Sequence, residues 1–80
     1  MNLAEILDFY DREVAQPIHD KYGLSQLEAL RAFMNSKTYD MLANPQLEMW
    51  EFSPLAIFDM WEVEQLTQDP RNSVYLRDAA

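Results

Sequence analysis

The absence of cysteine is the feature that most limits how this chain of 80 residues can fold. A chain of this length supports one domain, residues 1–80, and buries only about 60–65% of its unfolded surface, so its core is thin. Disulfides, metals or association usually compensate for a thin core. Disulfides are excluded, and a metal site would have to use carboxylates and the one histidine. The sequence therefore predicts that helix packing or a partner holds the fold together.

Helix start signals divide the chain into short segments. Four polar residues stand just before apolar patterns of helical spacing and are the expected N-caps: Asn2, Ser25, Ser36 and Ser53. Glu5 and Glu28 follow the first two caps by three residues, which is the spacing of a capping box. Pro54 suits the first position of a helix. The expected fold class is all-α, a compact array of four to five short helices.

Three stretches interrupt this pattern. Pro17 lies inside the first apolar stripe, where its ring removes a hydrogen bond, so we expect a kinked helix that ends at Gly23, the only glycine. Residues 46–52 have no helical cap and are expected to form an extended or turn-like segment. Residues 70–80 carry few apolar side chains and are expected to pack back or fray.

The net charge limits the classes of partner. Fourteen Asp and Glu residues against six Lys and Arg give −8. A nucleic-acid binder needs clustered cations to contact phosphates, and an anionic membrane repels negative charge, so we expect neither as a partner. The sequence has no apolar run of about 18 residues and no signal-peptide pattern, which makes the cytoplasm the expected location.

The acidic excess is concentrated in the second half of the chain. No basic residue occurs between Lys37 and Arg71, whereas seven acidic residues do. Such a surface serves solubility in many proteins. The alternative is that the acidic face steers the chain toward a basic partner.

Catalytic chemistry lacks its usual residues. His19 is the only imidazole, and its neighbours indicate a residue at a helix end. One glycine is too few for a phosphate-binding loop. The carboxylate pairs Asp8 with Asp11 and Asp59 with Glu62 have the spacing of solvated helix faces. We therefore expect a protein that is not an enzyme, with no cofactor and no metal site.

The second half of the chain is rich in methionine and tryptophan, which adapt well to partner surfaces. Trp61 lies on a capped amphipathic pattern and is expected in the core. Trp50 lies in the uncapped segment between acidic residues, and an apolar patch with an acidic rim is typical of a protein-binding site. The predicted partner-binding residues are Met49, Trp50, Phe52, Glu48, Glu51, Glu62 and Glu64.

The middle of the chain, residues 25–54, carries a further pattern. Its elements are Ser36-Lys37-Thr38-Tyr39, Leu42, Asn44-Pro45, Trp50 and Ser53-Pro54. This stretch resembles a family of short uncharacterised bacterial helical proteins. The resemblance implies a small companion encoded beside a larger gene, such as an ADP-ribosyltransferase-like one, in an arrangement similar to an antitoxin or accessory subunit. It supplies no catalytic residues and does not extend to the first 24 residues.

The expected function is therefore that of a small, acidic, non-enzymatic protein-binding module. It would act as an antitoxin-like or accessory subunit, blocking a toxin-like enzyme when its Met/Trp patch and the surrounding carboxylates dock into a cationic groove. Two alternatives are an acidic mimic of nucleic acid that inhibits a nucleic-acid enzyme, and a self-associating structural domain that forms a homodimer.

Overall fold

Four α-helices and three 3₁₀ turns form the part of the chain that the computed structural model describes, residues 2–77. The helices are α1 (Leu3–Tyr22), α2 (Gln26–Met34), α3 (Lys37–Leu42) and α4 (Pro54–Thr67). The 3₁₀ turns are Pro45–Leu47, Met49–Glu51 and Pro70–Asn72. The all-α prediction is confirmed. Residues 1 and 78–80 lie outside the described part, and so does the end of the predicted tail, residues 70–80.

All four predicted N-caps form, because each polar side chain accepts a hydrogen bond from the first helical turn. Ser25 and Glu28 complete a capping box, with bonds of 3.1 and 3.0 Å between each side chain and the other residue's backbone. Asn2 accepts from the Glu5 backbone at 2.9 Å, but the Glu5 carboxylate lies 3.5 Å from the Asn2 side-chain amide instead of returning to its backbone.

α1 continues through Pro17 without a break, because apolar side chains on both sides of the proline are buried against the core. The helix ends at the predicted glycine. Gly23 has a left-handed φ of 69°, and its backbone N–H donates to the His19 carbonyl at 3.1 Å. This is the usual geometry of a glycine that closes a helix.

Residues 46–52 coil into two consecutive 3₁₀ turns, so the turn-like alternative holds and the extended one does not. The Asn44 side chain caps the first turn by accepting from the Gln46 backbone at 3.0 Å. Glu48 joins the turns with a left-handed φ of 51°. This reversal turns Met49 into the core, where the side chain is 3% exposed.

The core is formed by one side of each helix. Its buried hydrophobic residues are Tyr10, Val14, Ile18, Ala29, Phe33, Leu42, Met49, Ala56, Ile57, Met60 and Trp61. α4 packs on both α1 and α3, and α1 packs on α2. Trp61 is buried as predicted, stacks on Phe58 with ring centroids 6.3 Å apart, and donates its indole N–H to the Ala32 carbonyl at 3.3 Å.

The tail packs back on α4 as far as the structure describes it. Pro70 and Ser73 are buried. The Ser73 hydroxyl donates to the Asp59 carboxylate at 2.6 Å, which ties the tail to the middle of α4.

The molecule measures 38 × 32 × 18 Å. Because one helix with its side chains is about 10 Å across, the shortest dimension holds only two layers of helix. Each α-helix therefore has an outward face. Among the helices of residues 2–77, none has the length and hydropathy needed to cross a membrane.

The end of α1 gives a first prediction. Nothing lies within 4 Å of a Cβ built on Gly23, so Gly23→Ala meets no steric obstacle. Its cost comes from the left-handed backbone alone, and we expect a loss of about 1 kcal/mol in the free energy of unfolding, measured by urea denaturation. Gln68→Gly, at the left-handed residue after α4, is the reverse experiment and should not destabilise the chain. Equal stability of Gly23→Ala and wild type would contradict the assignment.

Candidate functional site

A groove opens between the first half of α1 and the 3₁₀ turn that carries Trp50. We call it the Trp50 groove, and its volume is about 590 Å³. Its lining residues are Glu5, Ile6, Phe9, Tyr10, Arg12 and Trp50. Phe9 and Trp50 keep 42% and 38% of their surface exposed. The groove therefore presents two aromatic side chains to solvent.

Tyr10 fixes the wall of this groove. Its hydroxyl donates to the carbonyl oxygen of Phe52 and lies 3.0 Å from that of Trp50. Burial raises the pKa of Tyr10, which keeps the hydroxyl in its neutral, donating form. The turn at Met49–Glu51 is thus attached to α1 through a residue about 40 positions earlier in the chain.

One carboxylate lines the Trp50 groove, and two more stand close to Trp50 in the sequence. Glu5 lines the groove, and Glu48 and Glu51 are exposed on either side of Trp50 in the sequence. Arg12 is the basic residue in the lining. The exposed aromatic rings favour an apolar ligand, and the two neighbouring glutamates with the net charge of −8 favour one that also carries positive charge.

Of the predicted partner-binding residues, Trp50 lines the groove, and Glu48 and Glu51 are exposed close to it in the sequence. Met49 does not join them, because its side chain is 3% exposed and belongs to the core. Phe52 is partly buried and packs against that core. Phe9, which is not among the predicted residues, supplies the second aromatic ring of the groove.

Glu62 has a structural partner inside the chain. Its carboxylate accepts from Lys21 and from the Tyr22 hydroxyl, each at 2.5 Å. Desolvation alone would raise the pKa of Glu62, but these two hydrogen bonds hold it below its ordinary value. Lys21 lies eleven residues after Tyr10 on α1, so Glu62 is about 16 Å along the helix from the Trp50 groove. Glu62 therefore belongs to a different part of the surface.

Glu64 also acts within the fold. Its carboxylate accepts from the backbone N–H groups of Lys37 and Thr38 at 2.9 and 2.8 Å, and from the Thr38 hydroxyl at 2.8 Å. These donors are at the start of α3, where backbone N–H groups lack helical partners and favour negative charge. The Glu64 carboxylate thus fixes α3 against α4.

Several carboxylates of the described chain, Glu62 and Glu64 among them, accept hydrogen bonds from within it. Those with a hydrogen-bond partner in the chain lie on α1, α2, α4 and before the last 3₁₀ turn: Glu5, Asp20, Glu28, Asp59, Glu62, Glu64 and Asp69. They hold helix starts and neighbouring side chains. This use of the acidic residues gives no support to a nucleic-acid mimic, which needs carboxylates spaced like phosphates along one face.

A second, more polar groove of about 400 Å³ lies between α1 and α2, with Asp11 in its wall. Desolvation raises the pKa of Asp11, the neighbouring Tyr39 hydroxyl lowers it by less, and Asp8 adds to the increase. Burial beside Asp11 raises the pKa of Tyr39 to about 12. Within residues 2–77, the buried Oδ1 of Asp11 has no hydrogen-bond partner. Asp11 is therefore a partly desolvated carboxyl group at the edge of the core.

The lone histidine is at a helix end, as predicted. His19 lies in the last turn of α1, and its Nδ1 is 2.5 Å from the Leu24 carbonyl oxygen, so the ring closes the turn between α1 and α2. In the described part of the chain, no group of three or more His, Asp and Glu side chains is placed to hold a metal ion.

Comparison with protein-family models, curated proteins and solved structures finds no match. The resemblance of residues 25–54 to bacterial companion proteins therefore stays a prediction. The surface and the charge of the chain itself carry the functional inference.

Phe9 is the part of the site that the sequence did not reveal. It stands next to Tyr10 but off the buried stripe of α1, so a large aromatic side chain faces away from the core. An aromatic residue on the otherwise polar side of an amphipathic helix was the available signal. That Phe9 and Trp50 line the same groove depends on the fold and has no signal in the sequence.

The role of Glu64 gives a second prediction. Glu64→Ala removes the acceptor of three hydrogen bonds and leaves buried Thr38 donors unpaired, so we expect the free energy of unfolding to fall by about 2 kcal/mol. Urea denaturation measures the loss. The neighbouring exposed residue supplies a control, since Gln65→Ala should change stability by less than about 0.5 kcal/mol. Similar stability of the two variants would remove Glu64 from this role.

Asp11 gives a third prediction, concerning pH. Because its pKa is raised from 3.8, the folded chain binds the Asp11 proton more tightly than the unfolded chain. The stability that Asp11 contributes is then complete below its unfolded pKa and lost as the pH rises through its folded pKa. The urea midpoint of Asp11→Asn should therefore increase relative to that of wild type as the pH rises from about 3 to 7.

Glu28 provides a control of opposite sign. Hydrogen bonds from the Ser25 backbone and side chain lower the pKa of Glu28, so its contribution is present above the unfolded pKa and lost as the pH falls. Glu28→Gln should therefore lose ground to wild type as the pH rises. If Asp11→Asn, like Glu28→Gln, becomes less stable relative to wild type as the pH rises, folding does not raise the pKa of Asp11.

Proposed function

We propose that this chain is a non-enzymatic protein-binding module that docks an apolar, basic segment of a partner protein in the Trp50 groove. The observation that carries the proposal is the exposure of Phe9 and Trp50 in one groove of a chain whose core is thin. Aromatic side chains of this kind supply much of the binding energy at protein interfaces. In this small domain, the free energy of burying the exposed surface of Phe9 and Trp50 is gained only when a partner covers them.

The charge of the chain supports a basic partner. Glu5 and Arg12 balance each other in the groove lining, but Glu48 and Glu51 are exposed near Trp50 in the sequence, and the whole chain carries a net charge of −8. Opposite charge on a partner increases the association rate and disfavours acidic competitors. The same charge disfavours a second copy of this chain as the occupant.

The resemblance of residues 25–54 supports a finer proposal. The partner is then a bacterial toxin-like enzyme, and the chain acts as its antitoxin-like or accessory subunit. Docking at the Trp50 groove would block that enzyme by covering its cationic cleft. This step depends on the resemblance, whereas the binding of a basic segment depends on the groove.

The proposal predicts that the Trp50 groove selects one partner from the source cells. Affinity capture with wild type, with the double variant Trp50→Ala, Glu51→Lys and with the control Tyr75→Ala, Asp40→Lys compares matched losses of one exposed aromatic ring and one exposed carboxylate. The partner is the protein that the first variant loses and the control retains. After purification, its Kd should be weakened by about tenfold or more in the groove variant.

Circular dichroism confirms that both variants are folded before they are compared. Capture of the same proteins by wild type and groove variant would contradict the docking proposal. The purified partner then tests the finer one, because an enzyme whose activity the chain leaves unchanged is bound without being blocked.

A further inference from the structure

α4 carries large apolar side chains on its outward side as well as on the sides packed against α1, α3 and the tail. Its inward face carries the buried residues Ile57, Met60 and Trp61. Its outward face carries Leu55 and Leu66, which are 71% and 85% exposed and are the two most exposed large hydrophobic side chains of the described chain. A helix that is apolar all round is usually buried all round.

The two leucines share one line along the helix. They are eleven residues apart, which is about three full turns, so their side chains project in the same direction about 16 Å from each other. Asp59 and Glu62 lie between them on this line. We call these four residues, Leu55, Asp59, Glu62 and Leu66, the α4 outer face.

The surroundings of the α4 outer face are acidic as well. Leu55 lines a groove of about 430 Å³ with residues of α1 that include Glu13 and Asp20. Lys21 is the neighbouring cation, and it is already bonded to Glu62. Because Lys21 and Glu62 neutralise each other, Glu13, Asp20 and Asp59 leave an excess of negative charge around the leucines.

These charges discriminate between occupants. A second copy of the chain on a two-fold axis would place Asp59 and Glu62 against the same residues of its partner, and like charges opposed at an interface are costly. A helix with basic residues between two apolar ones matches both the leucines and the carboxylates. Because such a helix has the same rise per residue as α4, two apolar side chains at the spacing of Leu55 and Leu66 can contact both leucines.

We propose that the α4 outer face is a second docking surface, separate from the Trp50 groove, and that it binds a basic amphipathic helix of a partner protein. The two leucines bury apolar side chains of that helix, and the exposed carboxylates of Glu13 and Asp20 beside Leu55 pair with its lysines or arginines. The proposal stands on α4 and its neighbours on α1, so it does not require the Trp50 groove to bind anything.

Two synthetic peptides provide the probe. Both are alanine-based helices with a leucine near each end at the spacing of Leu55 and Leu66, and they differ only in the residues between, lysines in one and glutamates in the other. Fluorescence anisotropy of the labelled peptides measures binding to the full chain. The lysine peptide should bind, with an affinity that falls as salt is added, and the glutamate peptide should not.

Variants then place the site. The double variant Leu55→Ser, Leu66→Ser should weaken the lysine peptide by about tenfold or more, whereas Leu27→Ser, at an exposed leucine of α2, should leave it unchanged. Asp20→Lys should weaken it, whereas Asp40→Lys on α3 should weaken it less. Because these side chains are exposed, the variants should fold like wild type.

Several outcomes would overturn the proposal. One is absence of lysine-peptide binding, and another is equal binding of both peptides. Loss of the lysine peptide in the Trp50→Ala, Glu51→Lys variant, with retention in the leucine variant, would assign the peptide to the Trp50 groove. A wild-type dimer in sedimentation that the leucine variant dissolves would show that a second copy covers the α4 outer face.

Discussion

Glu64 and Glu62 of α4 reach α3 and α1, segments 26 and 41 residues away in the chain. Asp59 holds the tail through Ser73 in the same way. In a domain without cysteine, these long-range hydrogen bonds do the work that cross-links do in other small proteins. They fix α4 against both of its neighbours, and so they determine which side of α4 is left outward. The arrangement of the surface follows from these internal contacts.

The acidic excess consequently has two uses. One set of carboxylates satisfies donors of the chain itself, as Glu28 does at the start of α2 and Glu64 at the start of α3. The other set is exposed near uncovered apolar side chains, as Glu51 is beside Trp50. Solubility alone accounts for neither arrangement. A composition value cannot separate the two sets, because the difference lies in what each carboxylate touches.

Local features of the fold could be predicted from the sequence, and distant ones could not. The caps at Ser25 and Ser53 form as expected because each serine oxygen and the backbone N–H that donates to it are three residues apart. Helical spacing likewise placed Trp61 in the core. The hydrogen bonds that Glu62 and Glu64 make within the chain could not be predicted, because Lys21 and Thr38 lie far along the sequence. The turn at 49–51 could be predicted only as one of two alternatives, because Tyr10 holds it from α1.

The 18 Å thickness of the molecule has a consequence for its lifetime. A domain of this length has a total stability of roughly 4–12 kcal/mol. A ligand present at a hundredfold excess over its Kd adds about 2.7 kcal/mol, which is a large share of that total. Free and occupied chains should therefore differ widely in the fraction that unfolds and is open to proteases. If a partner binds as proposed, the fraction of so thin a domain that is open to proteases depends on how much of it is bound, and its abundance then follows that of the partner.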